Sequence, residues 1–435
     1  MKKILTINLL LASLCSGLAP CSQAAPADND RYQLEKVVML IRHGVRPQTN
    51  TASLDKATGL LWPEWNVPDG FLTGHGYAGM LAQAAWLLKT WRAAGLPLNE
   101  TAGCPAAGNV WVWTAPSQRT KATGTALLDG MFPGCGIPIH FTAHKADPLF
   151  DTVAMGIATP DKDKVYQQIE ERLGSAARAE KTYRKAVADL RQAVCAETTN
   201  SCRFLDNPWK INISEHGKVK SGGPLSEGAN IGETIRLQYS ENLPLSEVAF
   251  GHARNARQVS DLMALHAAKY DLISDTLENA SHGGSLLMRQ IIRAFTPRQG
   301  SNTSLRSDND PLQSPLVIFA AHDTNIAQIQ TMLGFNWQLP LYPRNDIPPG
   351  GALIIGRYLD TQTGQRFIRL TFTARTLDQW RQLSPLNAQD PLPVAEFRHS
   401  GCRETAVGEL CPLNVFTQLA KAHLVNDGKD LPVFQ

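Results

Sequence analysis

The chain has 435 residues, of which 43% are hydrophobic and 19% charged, and its formal net charge is +3. That length carries one large domain or two with ample core, and the balance is that of a globular protein rather than a disordered or coiled-coil one. Without the first 24 residues, which hold Lys2 and Lys3 and no acids, the charge falls to +1, so the basic excess of a nucleic-acid or membrane-surface protein is missing.

Lys2-Lys3, an apolar stretch from Ile4 to about Leu18, and Ser22-Gln23-Ala24 before Ala25 read as a secretory signal over residues 1–24. The stretch is short for a bilayer span, and no later segment is long enough. Leu18-Ala19-Pro20-Cys21 hints at lipidation, but Pro20 fits that pattern poorly, and soluble export is the expectation. Two of the eight cysteines, Cys15 and Cys21, fall in this leader. The remaining Cys104, Cys135, Cys195, Cys202, Cys402 and Cys411 are an even number in an exported chain, and without a CxxC or Cys/His cluster they favour disulfides over zinc. Proximity favours Cys104–Cys135, Cys195–Cys202 and Cys402–Cys411, although sequence alone fixes no pairing.

Residues 36–46, KVVMLIRHGVR, run a buried strand into Arg42, His43 and Arg46. Ligands of open α/β sheets bind beyond the carboxyl ends of strands. Arginine suits bidentate phosphate recognition, and a neutral imidazole can attack phosphorus. A second strand, NVWVWT at 109–114, precedes a helix from Ser117 to about Met131 that carries Arg119. From about Thr159 to Asp275 the pattern is mostly helical, and EERLGSAARAEKTYRKAVADLRQAV is its clearest piece. A third strand, PLVIFA at 315–320, leads into His322 and Asp323 and then a helix, IAQIQTMLGF. Three strands thus end in phosphate-competent groups, and the helices after Pro116 and Asp323 add backbone N–H donors for an anion.

Each feature alone has a blander reading. An Arg-His pair at a strand end is usually surface decoration, His322-Asp323 suits a helix start, and Arg119 suits a pair with a carboxylate on its own helix. Their recurrence after three strands disfavours those readings. His140 and His144 are spaced for a metal on a helix, but IPIHF alternates like a strand; Trp62, Trp65, Trp111 and Trp113 read as core rather than a stacking platform.

These residues resemble the histidine acid phosphatases, the two-step branch of the histidine phosphatase superfamily, over nearly the whole mature chain. The resemblance rests on Arg42-His43-Gly44-Val45-Arg46, Gly70-Phe71-Leu72-Thr73 with Gly76, Gln118-Arg119-Thr120, Asp147-Pro148-Leu149-Phe150, His322-Asp323-Thr324-Asn325 and Pro348-Pro349-Gly350-Gly351. The family pattern RHGxRxP is modified here, with Pro47 directly after Arg46 and Gln48 in the usual proline position. Within the bacterial periplasmic members, the phytases and glucose-1-phosphatases, Gly44 and Thr324 are phytase-like choices, and the chain looks most like the enterobacterial phytases.

The resemblance implies an α/β fold with a central sheet flanked by helices and a smaller, mostly α-helical inserted domain. Residues 25–157 and 276–435 would form the catalytic domain and 158–275 the insert. It implies His43 as nucleophile, Asp323 as general acid, phosphate contacts from Arg42, Arg46, Arg119 and His322, and substrate contacts from Thr49 and Glu233. No metal and no cofactor is expected. The expected partner is a small phosphomonoester, neither nucleic acid nor membrane, in the periplasm, and a monomer is plausible. The arginines should hold Asp323 ionised and His43 neutral in the free protein, a bound phosphate dianion should raise Asp323, and an acid optimum follows. Phytate is the leading substrate. A glucose-1-phosphatase or broad sugar-phosphate phosphatase is the rival. A mutase-like transferase is disfavoured by the leader, and a phosphoester-binding protein has no use for His43 and Asp323 together.

Overall fold

The computed structural model describes residues 31–198, 200–215, 219–296 and 310–435. The leader expected over residues 1–24 lies outside them. Ten strands occur among the described residues: β1 (Tyr32–Arg42), β2 (Val110–Thr114), β3 (Lys210–Ile213), β4 (Val219–Gly222), β5 (Leu316–Ala321), β6 (Ala352–Asp360), β7 (Arg366–Thr373), β8 (Val394–Glu396), β9 (Arg403–Thr405) and β10 (Gly408–Pro412). Eight form one sheet in the order β2-β5-β1-β6-β7-β10-β9, with β8 on β7; β3 and β4 make a separate hairpin. The three strands expected from the sequence are its parallel part, β2 and β1 flanking β5, so their carboxyl ends open on one edge. The rest pairs antiparallel.

β1 reads as a near-continuous apolar run because both of its faces are covered. Val38 and Leu40 join one buried cluster, while Val37, Met39 and Ile41 join the other. Arg42 continues the Val38–Leu40 face, so a guanidinium ends a row of core positions.

Seven helices matter here: α1 (Gly74–Ala93), α2 (Gln118–Met131), α3 (Lys162–Leu173), α4 (Ala176–Val194), α5 (Pro224–Ser240), α6 (Leu277–Phe295) and α7 (Asp323–Leu333). α2 and α7 start just after β2 and β5, as the sequence predicts. The piece expected to be helical from Glu170 to Val194 is two helices. Gly174 breaks it at φ +70°, and the Ser175 hydroxyl then caps α4 by accepting from the Arg178 amide at 3.2 Å. Residues 158–275 are largely helical, with the β3–β4 hairpin among the helices, and most of their core residues share one apolar cluster with the sheet, Leu237 joining the other. His140 lies in no helix; it bridges to Trp113 as a short strand-like contact. Trp62, Trp111 and Trp113 are buried, and Trp65 is half-buried. The disulfides are Cys104–Cys135, Cys195–Cys202 and Cys402–Cys411, the pairs that proximity favours.

The N-terminal turn of α1 lies directly on the loop that follows β1. Thr73 caps it, accepting from the Gly76 amide at 2.8 Å, while the Thr73 amide donates to the Val45 carbonyl at 3.1 Å. A Cβ at Gly76 would stand 2.4 Å from that carbonyl, so only glycine permits the approach. The Thr73 hydroxyl donates to Glu241 at 2.5 Å. Burial pushes the Glu241 carboxyl up to about 7, against a smaller opposite pull from Thr73. A carboxyl raised by folding contributes stability below its ordinary value of 4.5 and loses it as pH climbs toward 7. Glu241→Gln should therefore leave Tm unchanged at pH 4 and raise it by a few degrees at pH 8. An equal change at both pH values in thermal denaturation would contradict this reading.

Candidate active site

The loop after β1 is held by backbone bonds and by the Thr123 hydroxyl, which accepts from the Gly44 amide at 3.1 Å. The Arg42 amide donates to Gly351 at 2.9 Å, the His43 amide to Ala321 at 3.2 Å, and the Gly350 amide to the His43 carbonyl at 3.1 Å. Gly350 sits at φ +67°, and a Cβ there would meet Met80 at 2.9 Å and Trp380 at 3.0 Å. The Pro348–Gly351 turn and the end of β5 thus clamp the Arg42-His43 dipeptide between them.

On this frame Arg42 is fully buried. It pairs with Glu233 of α5, lies 3.3 Å from Asp323 at the start of α7, and donates to the Ile347 carbonyl. Glu233 also pairs with Arg236, one turn along α5, and Arg236 pairs with Asp346. His266 stands 3.7 Å from both Glu233 and Asp346. Four guanidiniums, counting Arg46 and Arg119, face the three carboxylates Glu233, Asp323 and Asp346. One positive charge is left over.

His43 is buried, with Nδ1 2.9 Å from the Gly44 carbonyl and its ring 5.7 Å from that of His322. A carbonyl can only accept, so Nδ1 carries the proton and Nε2 keeps its lone pair. Arg46 and Arg119 flank this imidazole. Arg46 donates to the Pro47 carbonyl at 2.8 Å, and Arg119, at the start of α2, reaches the Gly70 carbonyl at 3.5 Å. The Nε atoms of Arg42, Arg46 and Arg119 are buried and, among the described residues, have no hydrogen-bond partner. Donors left so are costly unless an acceptor arrives from outside.

The structure therefore brings six of the eight residues singled out from the sequence, Arg42, His43, Arg46, Arg119, His322 and Asp323, to one sheet edge. Thr49 is exposed at the rim, where Gly70 lies between it and Arg119. Glu233 is almost wholly buried beneath the loop, occupied by Arg42 and Arg236. Gln48, in the usual proline position, is buried and accepts from the Gly70 amide at 2.9 Å through its carbonyl, which ties the two loops together. Sequence reading missed Arg236, His266 and Asp346. The available signal was the Glu233–Arg236 spacing of three on a helix whose other charge, Glu227, lies in its first turn, so that the two can face each other. Among the described residues, no group of three or more His, Cys, Asp or Glu side chains is placed to hold a metal, and no helix is long and apolar enough to cross a membrane.

The electrostatics follow from this packing. Burial, then Arg46, Arg42 and Arg119, hold His43 well below the ordinary imidazole range. His322 is lowered to about 4 by burial and then by Arg119. Burial pushes Asp323 up, but Arg42 and His322 prevail and hold it at about 2. Arg46 is lowered to about 10 by burial, and so stays charged in acid. Both histidines are thus neutral and the aspartate ionised across mildly acid pH. Removing a positive neighbour makes an imidazole easier to protonate, so Arg119→Gln should raise the His322 midpoint from about 4 toward its ordinary 6.5. An NMR titration of the imidazole nitrogens reads this directly; an unmoved midpoint would show that Arg119 does not set the local field.

Comparison with known proteins bears on the family of the chain. Residues 33–373 match the model of the histidine phosphatase superfamily, branch 2. The crystal structure of Klebsiella sp ASR1 phytase superimposes with a TM-score of 0.82 at 39% identity, covering 91% of this chain and 97% of that one. The phytase AppA of Escherichia coli is 29% identical over 94% of this chain and 95% of its own length. A glucose-1-phosphatase of Salmonella typhimurium is 28% identical over 94% and 97%. With the family pattern spanning most of the sheet and all of the Arg42–Arg46 loop, the chain belongs to branch 2 of the histidine phosphatase superfamily.

Proposed function

We propose that this protein is an exported acid phosphatase that hydrolyses phosphomonoesters, with phytate (myo-inositol hexakisphosphate) as its substrate, through a phosphohistidine on His43. The observation that carries the reading is a neutral imidazole with its Nε2 lone pair free, set among Arg42, Arg46 and Arg119. His43 Nε2 forms a bond to phosphorus while the ester P–O bond breaks, and Asp323 gives its proton to the departing alkoxide. Water then attacks the phosphohistidine, Asp323 takes back a proton, and inorganic phosphate leaves. Covalent catalysis of this kind divides one difficult displacement into two. The guanidiniums and His322 stabilise the charge on the non-bridging oxygens in both steps.

Asp323 is ionised in the free protein, so its proton must be acquired with the substrate. A phosphate monoester, whose second pKa is about 6, reaches the site as a monoanion in acid and brings that proton with it. A bound dianion raises Asp323 by the same Coulomb logic with which Arg42 lowers it. Acid activity follows from both. Thr49, at the rim beside Arg119, is placed to contact the rest of the substrate, while Glu233 acts from beneath by orienting Arg42. Three disulfides and the leader support export to the periplasm.

The phytases among the relatives favour phytate, and the Salmonella relative keeps glucose 1-phosphate as the second reading. Phosphate release from both substrates, side by side in mild acid and chelator, separates them. We expect phytate to be preferred, and His43→Ala to lose at least about 10³-fold. Preference for glucose 1-phosphate would keep the chemistry and change the substrate. Turnover of neither, with the variant indistinguishable, would overturn the reading.

A further inference from the structure

The cap of α1 touches the loop after β1 through a hydroxyl that has more partners than its single proton can serve. Thr73 Oγ1 accepts from the Gly76 amide at 2.8 Å, and lies 2.5 Å from Glu241 Oε2 and 3.3 Å from the Val45 carbonyl oxygen. A hydroxyl has one proton and two lone pairs, and an ionised carboxylate can only accept. Against ionised Glu241 the Thr73 proton turns to the carboxylate, and the Val45 carbonyl keeps only the Thr73 amide at 3.1 Å. Against a protonated carboxyl, the Glu241 O–H donates to Thr73 Oγ1 and the Gly76 amide fills the other lone pair. The Thr73 proton is then free for Val45.

The Val45 carbonyl belongs to the peptide that joins Val45 to Arg46. One peptide earlier, the Gly44 carbonyl holds His43 Nδ1 at 2.9 Å. The orientation of these two peptides sets where the Arg46 side chain starts and which way the imidazole faces. Val45 is fully buried, and a bond lost by a buried carbonyl costs more than one exchanged with solvent.

The charged groups around Glu241 are engaged elsewhere. His75, in the first turn of α1, faces the Trp380 carbonyl at 2.7 Å. On the short helix Leu377–Gln382, Arg381 donates to the Tyr239 and Leu243 carbonyls at 3.2 and 3.0 Å, and Asp378 accepts from the Tyr239 hydroxyl at 2.6 Å. Arg375, just before that helix, donates to the Gln379 and Ser384 carbonyls at 3.2 and 3.3 Å. Burial is what raises the Glu241 carboxyl, to about 7, so its proton comes and goes near neutrality.

We propose that Glu241 and Thr73 are positioning residues for the loop after β1: a proton on Glu241 turns the Thr73 hydroxyl to the Val45 carbonyl, and loss of that proton withdraws it. The loop is thereby held more tightly in acid than above neutrality. The catalytic consequence rests on the reading of His43 and Arg46 as the phosphoryl-transfer site, whereas the coupling itself does not.

Val45-Arg46 is the only Val-Arg step in the chain, so carbon-13 in valine carbonyls and nitrogen-15 in arginine amides isolate this one peptide by NMR. The Val45 carbonyl shift should titrate with a midpoint near 7. It should not titrate there in Glu241→Gln, whose side-chain amide donates to Thr73 at every pH. For catalysis, the ratio of kcat/KM in Glu241→Gln to that of the unmodified protein cancels the ionisation of substrate and Asp323. We expect a ratio within about 2-fold of one at pH 5, rising to about 3–10-fold at pH 8. Activity at pH 5 reports that the variant is folded. If the Val45 shift does not titrate, or titrates equally in the variant, the coupling is absent and the inference fails. If it titrates as expected and the ratio stays flat, Glu241 does not position the loop for catalysis, and the inference fails while the phosphatase reading stands. If neither protein turns over phosphomonoesters, the phosphatase reading fails and the catalytic consequence falls with it, while the shift still decides the coupling.

Discussion

A fully buried guanidinium at the end of the central strand is the constraint around which the site is built. Taking one charge out of water costs several kcal/mol even after relaxation, and the cost is offset only by paired, hydrogen-bonded counter-charges. Arg42 is met by Glu233 and Asp323 and by the Ile347 carbonyl. Those partners come from α5, from the start of α7 and from the turn before β6, three segments that converge on this one guanidinium. The second charge on Glu233's other side, Arg236, is met in turn by Asp346. Removing Arg236 would leave Asp346 buried without its guanidinium.

The same packing decides which groups are ionised. Four guanidiniums against three carboxylates leave a cationic remainder, and the imidazoles of His43 and His322 answer it by staying neutral. In the proposed mechanism, nucleophilicity and anion affinity thus have one origin. A solvent-exposed histidine would be protonated in acid; here burial and the positive charge that draws an anion together prevent it, because imidazolium would be one more buried cation among arginines. The loop is held by main-chain bonds to Ala321, Gly350 and Gly351, which leaves the side chains of His43 and Arg46 free of structural duty apart from local carbonyl contacts.

Much of this was legible in the sequence, for a physical reason. β1, β2 and β5 are apolar on both faces, so they read as short Val/Ile/Trp/Phe runs, and the charged residues that end them stand out against that background. The helices α2 and α7 follow immediately, and the cysteine pairs are near neighbours in the chain. The antiparallel half of the sheet, β6 to β10, was not read, because its pairing is set by contacts with β1 and β7 rather than by any local signal. The break at Gly174 was missed because charged residues on both sides keep helical spacing across it. His266 and Asp346 were invisible for a different reason: each meets partners that only the tertiary fold brings near. The Arg42–Glu233 pair joins residues 191 positions apart.

What the arrangement implies above all is a covalent bond between one nitrogen and phosphorus. Rapid mixing with 4-nitrophenyl phosphate, quenching at alkaline pH where phosphohistidine survives, and peptide mass spectrometry would locate it. The account predicts one phosphoryl group per chain, on His43 through Nε2, and none in His43→Ala. A phosphoryl group on His322, or a catalytically competent protein that never carries one, would contradict it.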